Sequence, residues 1–243
     1  MGCSDALPLN LQAKGVSVAG LTLACSDTSA SPINLCSFNK KVDDFLSGGF
    51  PIGSLIEWGV PMGKEGRQLL FPFLANVTQG RQFPPSFVLW VNGFKELKVF
   101  PPAWFVRGVV PGKVLFAQSC DVLHDLKQVF LSPVFKVIVL DTPQYLSRED
   151  CLFLKKKAQR HKQILFLLRP YRLNNEKGNV ACSVRMNIWR DQQKDTLVAH
   201  VIKGLTDRKL FLEEPAAQFP PNHLLATDGE VRKSNACLHS FGM

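Results

Sequence analysis

Between an expected strand ending at Trp58 and a segment of helical character the chain reads GVPMGKEGRQ, crowding Gly59, Gly63, Lys64, Gly66 and Arg67 into one turn. Glycine turns between a strand and a helix can aim successive N–H groups at phosphate oxygens. A lysine then neutralises β/γ charge and a Ser or Thr hydroxyl holds Mg²⁺, which is the G-x-x-x-x-G-K-[ST] pattern. Two registers approximate it. If Gly63-Lys64 is the Gly-Lys pair, Trp58 replaces the first glycine and Glu65 the hydroxyl; if Gly66-Arg67 takes that part, Pro61 and Gln68 do. Neither register supplies a magnesium-holding hydroxyl, and Glu65 would repel a triphosphate. The turn therefore has the location of a phosphate cradle without its chemistry. Lys64 and Arg67 either hold a phosphate without turnover or form a basic helix start with no ligand.

The elements that must position this turn follow from periodicity. Val42 with Phe45-Leu46 shares a short helix face that Gly48-Gly49 ends. Ser54 to Trp58 is expected as a strand and Gln68 to Thr78 as a helix kinked by Pro72. Strands are expected at Phe87 to Val91, Val114 to Ala117, Phe135 to Asp141 (FKVIVLD) and ILFLL, with FPPAWFVRG a packed loop or short helix. One amphipathic helix is expected over Asp121 to Leu131, and another from an N-cap at Ser147 to about Lys162. SVRMNIWR and TLVAHVIK alternate as a strand pair with one wet face. The fold class is α/β, with a mainly parallel central sheet flanked by helices and antiparallel strands at its C-terminal end. Residues 1–35 are expected as a leader, 36–212 as the core and 213–243 as an extended or disordered tail.

The 243 residues are 46% hydrophobic and 20% charged, ordinary for a globular chain. No apolar run approaches the roughly 20 residues of a membrane span, so no membrane partner is expected. Seven scattered cysteines without C-x-x-C fit a reduced cytoplasm. None of the five histidines pairs with a Cys or acid at ligand spacing, so no metal site is expected. The net charge of +9 is concentrated: Arg148 to Lys209 holds fifteen Lys and Arg against six Asp and Glu, leaving fourteen of each elsewhere. That block, including Lys155, Lys156, Lys157, Arg160 and Lys162, is either a polyanion-binding face or a solvated helix surface.

Four pieces in order, VDDFLSGGFPIGSLIEWG, VIVLD, ILFLLRP and ACSVRMNIWR, resemble the RecA superfamily core over roughly Cys36 to Leu212. The resemblance implies a RecA-like P-loop NTPase core, a degenerate Walker A at Gly59, Gly63, Lys64, Gly66 and Arg67, and Asp141 as the Walker B acid; outside it, Asp141 is a capping or turn residue. The water-positioning acid of that family finds no match in LWVNGFK, and its phosphate-sensing Gln matches Arg169. Losing several such parts costs orders of magnitude in phosphoryl-transfer rate, so no catalytic residue is assigned. Both DNA loops are short, the second reduced to PYRLNNEKGN. Arg172 and Lys177 fall there, Arg169 stands just before it, and Lys203 lies on a basic strand; these four are the expected DNA or partner contacts.

A shortened chain of this kind is similar to the ImuA family of RecA-homologous accessory proteins. Membership implies a DNA-damage adaptor role in translesion synthesis. It also implies an ImuB-like Y-family polymerase homologue and an error-prone replicative-type polymerase as partners. The resemblance extends the partners to RecA and DNA, and the cofactors to residual ATP with Mg²⁺. A working DNA-dependent ATPase and a simple basic DNA-binding module are the alternatives.

Overall fold

The computed structural model describes residues 33–63, 65–174, 176, 178–204 and 209–213, and the backbone of 224–226. Its elements are β1 (Asn34–Leu35), α1 (Lys40–Phe45), β2 (Phe50–Pro51), β3 (Leu55–Gly59), a 3₁₀ turn (Arg67–Leu70), α2 (Phe71–Gln79), β4 (Phe87–Asn92), β5 (Leu97–Val99), α3 (Pro102–Phe105) and β6 (Val114–Gln118). There follow α4 (Val122–Asp125), α5 (Lys127–Phe130), β7 (Phe135–Asp141), α6 (Arg148–His161), β8 (Ile164–Arg169), β9 (Val184–Asp191), β10 (Thr196–Lys203), β11 (Lys209–Leu212) and β12 (Leu224–Ala226).

Eight strands form one sheet in the order β11-β10-β9-β3-β8-β7-β4-β6. Every pairing from β9 across to β6 is parallel, and β10 and β11 add antiparallel strands at the other end. The chain is thus α/β, with a mostly parallel central sheet and helices on both faces. Both faces are covered, so the central strands are continuous apolar runs whose alternate residues enter different cores. Ile56, Trp58, Val137, Val139, Phe166 and Leu168 pack with Phe73 and Leu74 of α2 and Trp104 of α3. Leu55, Ile138, Leu140, Leu165 and Leu167 pack with Cys151, Leu154 and Ala158 of α6. Phe50 stacks edge-on to Phe166 at 5.3 Å and Trp90 to Trp104 at 4.6 Å. Truncating a ring such as Phe166 to Ala costs about 3–5 kcal/mol.

Local chemistry sets the element ends. The Ser147 hydroxyl accepts from the Asp150 N–H at 3.1 Å while the Asp150 carboxylate accepts from the Ser147 N–H at 2.9 Å, a capping box that starts α6. Two expectations change. Pro72 sits in the first turn of α2, where its missing N–H costs nothing, so the helix begins there behind a 3₁₀ turn and is not kinked. Asp121 to Leu131 is two single turns broken at Leu126 (φ −111°, ψ 18°), with Val122 and Phe130 the buried anchors.

Of the segment expected as a leader, Asn34 and Leu35 pair antiparallel with β2, and Leu35 is buried; residues 1–32 lie outside the described residues. Of the segment expected as a tail, β12 pairs with β5 and the rest beyond Glu213 lies outside the described residues.

Candidate functional site at the carboxyl edge of the sheet

Parallel pairing brings the carboxyl ends of β3, β8, β7 and β4 into one row: Gly59 stands beside Arg169, Asp141 beside Leu168, and Asn92 beside Asp141. In open α/β sheets ligands bind outside these ends. The alternation of the strands gives this row two sides. Asp141 continues the Val137–Val139 face toward the start of α2, whereas Arg169 continues the Leu165–Leu167 face together with Glu57 of β3.

On the α2 side, the Arg67 guanidinium closes on Asp141. Nε donates to Oδ2 at 2.8 Å and Nη2 to Oδ1 at 2.9 Å, both groups being buried. Such a fork is the strongest common geometry for an Arg–carboxylate pair. Arg67 Nη2 also meets Met62 Sδ at 3.7 Å. The turn before it is tied up as well. The Gly66 N–H donates to Gln68 Oε1 at 2.8 Å, Gln68 Nε2 donates to Glu65 Oε2 at 3.1 Å, and Arg190 Nε of β9 donates to the same Glu65 oxygen at 2.6 Å. Glu65 holds φ +53° and Gly66 φ +119°; a Cβ at Gly66 would press within 2.9 Å of Ile188 Cγ2. Gly63, at φ +72°, has open space around its Cα, whereas Gly59 is covered by Tyr171 to Leu173. Lys64 lies outside the described residues.

These groups do not fit Mg²⁺-ATP. Asp141, which would face a hydrated cation, has each carboxylate oxygen on the Arg67 guanidinium. The Gly66 N–H, which would face a phosphate, is capped by a side chain. Among the described residues no group of three or more His, Cys, Asp or Glu is placed to hold a metal. Beside the Arg67–Asp141 pair opens an apolar cleft of about 640 Å³ lined by Met62, Phe94, Leu97, Cys120 and Pro143 among others. Glu96 also lines it, one residue beyond the LWVNGFK segment.

On the α6 side, Arg169 Nε donates to Glu57 Oε1 at 3.1 Å and Nη1 to the Gln144 carbonyl at 2.6 Å. The other Glu57 oxygen accepts from the Asn179 N–H at 2.7 Å. One buried pair thus ties the loop after β7 to the loop after β8. Asn187 adds a second clamp, exchanging two hydrogen bonds with the Leu173 backbone at 2.7 and 2.8 Å. A cleft of about 590 Å³ lies over this network, walled by Tyr145 and Tyr171. Beneath it Cys151 is pushed up to about 12 by burial, and Cys182 is raised for the same reason, so both thiols stay protonated.

The four expected contact residues therefore separate. Arg169 is only 3% exposed and faces inward. Arg172 is exposed and stacks on Trp189 at 4.5 Å. Lys203 donates to the Val180 carbonyl at 2.6 Å, and Lys177 lies outside the described residues.

The chain matches no known family model and no curated protein sequence. Among the described residues no helix is long and apolar enough to cross a membrane.

The network contains groups that motif reading missed. Glu57 is a lone acid inside LIEWG and Arg169 a lone base ending ILFLLR. A single charge in a strand buried on both faces requires a partner of opposite sign. That signal was present in the sequence.

Proposed function

We propose that this chain is a RecA-fold accessory protein of DNA-damage-induced translesion synthesis, a degenerate ATPase that acts by binding other proteins. The observation that supports the non-catalytic part is the Arg67–Asp141 fork, in which a protein cation engages the carboxylate that the RecA-like reading would give to a metal. The glycine turn supports the same reading, because Gln68 and Arg190 hold Gly66 and Glu65. The RecA-like and ImuA-like parts of the proposal rest on the ordered sequence pieces. They are compatible with a glycine turn between β3 and α2 and an acid ending β7. The partners proposed on that basis are the ImuB-like polymerase homologue and the error-prone replicative-type polymerase.

Purified protein assayed for ATP hydrolysis with single-stranded DNA is expected to show no turnover above background, unchanged by Lys64→Ala. Turnover comparable with that of a recombinase and abolished by Lys64→Ala would overturn the reading. Co-purification with the two polymerase homologues tests the adaptor role, and failure to bind either would remove it.

Direct DNA contact is favoured by a different observation. Arg172 lies over Trp189, and Lys194 lies 5.9 Å from the Phe211 ring. Trp189, Val198 and Phe211 share one row across β9, β10 and β11. Aromatic rings with flanking cations suit stacked bases and phosphates. Arg172→Ala is expected to flatten the salt dependence of DNA affinity by about one unit of slope; an unchanged slope removes it from the contact set.

A further inference from the structure

The network on the α6 side holds more positive charge than it neutralises. Glu57 of β3 is flanked by two arginines: Arg169, its ion-pair partner from β8, and Arg185, which stands opposite it in the β3–β9 register. All three are buried, Arg185 to 7% exposure. Both Glu57 oxygens are taken, one by Arg169 Nε and the other by the Asn179 N–H. Arg185 is left with one long bond, from Nη1 to the Asn174 carbonyl at 3.4 Å, and its Nε has no hydrogen-bond partner among the described residues. Arg169 gives Nε to Glu57 and Nη1 to Gln144, and its Nη2 makes no hydrogen bond among the described residues. Two buried guanidinium groups thus face one buried carboxylate. A charge so placed is costly until an opposite charge meets it.

This surplus lies against the cleft of about 590 Å³. Arg169 and Gly178 both line it, and a Cβ at Gly178 would fall 2.5 Å from Arg185 Nη1. With no side chain at that point, the guanidinium comes up directly behind the cleft wall. Tyr145 and Tyr171, the chain's only tyrosines, line the same cleft and are exposed, so flat aromatic surface is open to a ligand.

We propose that this cleft binds a monocarboxylate with a flat apolar body, the carboxylate received by Arg169 Nη2 in the field of Arg185 and the body packed against Tyr145 and Tyr171. A planar guanidinium suits a planar carboxylate. One surplus positive charge matches one negative charge, whereas Glu57 and Glu176 on the wall oppose a dianionic phosphate or a nucleic-acid strand. The size and mixed lining of the cleft are those of a small-ligand site. A free aromatic acid and the C-terminal residue of a polypeptide share this chemistry. The inference concerns the α6 side alone and stands whether or not the adaptor reading survives.

Because both tyrosines of the chain line the cleft, the full chain labelled with 3-fluorotyrosine reports on it alone by fluorine NMR. Titration with 3-phenylpropanoate is expected to shift both resonances saturably. The neutral 3-phenylpropanamide should bind at least about tenfold more weakly, the worth of one charge-assisted hydrogen bond. A short peptide ending in Phe separates the sources: tighter binding than 3-phenylpropanoate assigns the site to a chain end, and equal or weaker binding to a free acid. Equal affinity for acid and amide, no saturable shift with the acid, or shifts saturated by a single-stranded oligonucleotide in its place would each overturn the proposal. Arg185→Met is expected to weaken 3-phenylpropanoate at least about fivefold while the melting temperature holds or rises, because an unmatched buried charge is removed. Unchanged affinity, or a fall in melting temperature, would mean that Arg185 serves the fold and would also overturn it. Tyr145→Ala, at an exposed position, supplies a second variant that keeps the fold. Its Tyr171 resonance should saturate only at higher 3-phenylpropanoate, and an unchanged midpoint refutes the proposal.

Discussion

Two buried ion pairs sit on opposite faces of the same sheet edge and differ in what they connect. Arg67 and Asp141 meet side chain to side chain through two parallel hydrogen bonds. Arg169 and Glu57 share one direct bond and extend to the Gln144 carbonyl and the Asn179 N–H. The first pair links the turn before α2 to the end of β7. The second holds two loops against the sheet and forms the base of a cleft. A buried charge pair does not by itself indicate stability, because its desolvation can outweigh its attraction; what it connects decides its role.

The largest expected effect comes from removing one charge and leaving the other buried. Asp141→Ala is expected to lower the unfolding free energy by about 3–5 kcal/mol, and Glu57→Ala by a similar amount, both measured by urea denaturation. Replacement of both partners by apolar residues distinguishes the pairs. Arg67→Met/Asp141→Leu is expected to recover most of the loss, since both bonds of the fork run between the two replaced side chains and neither of its charges is left buried alone. Glu57→Leu/Arg169→Met is expected not to recover it, because Asn179 N–H and Gln144 C=O lose their partners. Equal recovery in the two doubles would erase the distinction drawn here.

A gentler change asks whether the second pair acts as a loop tether. Glu57→Gln keeps shape while removing charge, and is expected to cost about 1–3 kcal/mol. Hydrogen exchange should accelerate at the Asn179 amide and leave the Gly66 amide unchanged, because Gly66 is capped by Gln68. Acceleration at both would mean that the two sides of the sheet edge open together.

Smaller again is the Glu65–Arg190 contact, whose side chains are largely buried at 15% and 13% exposure. A double-mutant cycle with Glu65→Ala and Arg190→Ala is expected to give a coupling of about 1 kcal/mol that weakens with salt. Arg190 also reaches Asp195 at 2.6 Å, so Asp195→Ala should lower the coupling less than Glu65→Ala removes.

The strands and the α/β class were legible because short, β-branched, near-continuous apolar runs such as FKVIVLD suit strands covered on both faces. The glycine turn and Asp141 were legible as separate signals. Their connection was not, since Arg67 and Asp141 are 74 residues apart and only the sheet order brings them together. Charge counting also overstated the basic block. Arg169 and Arg190 are matched by Glu57 and Glu65, acids that lie outside it in sequence and beside it in space. The single helix expected at Asp121 to Leu131 failed for a local reason, as each half buries only one anchor and Leu126 leaves the helical region.

The smallest effect belongs to an exposed pair that contrasts with both buried ones. His124 Nδ1 lies 3.1 Å from Asp125 Oδ1, and the Ser119 hydroxyl donates to Asp125 Oδ2 at 2.7 Å. The hydrogen bond to Asp125, then its charge and that of Asp121, raise His124 above its ordinary value of 6.5. The Ser119 and His124 bonds lower Asp125. For the raised histidine the sign is fixed: its contribution is complete below the unfolded value and disappears as pH rises through the folded one. The depressed carboxylate does the opposite, losing its contribution as pH falls through its folded value. The pair therefore operates in the window between the two. An NMR titration of the His124 ring should report a midpoint above about 6.5 that returns toward it in Asp125→Asn and falls with added salt, because both groups are open to solvent. A midpoint that ignores both changes would mean that the ring is held by a partner other than Asp125, and would take this pair out of the contrast between exposed and buried charge.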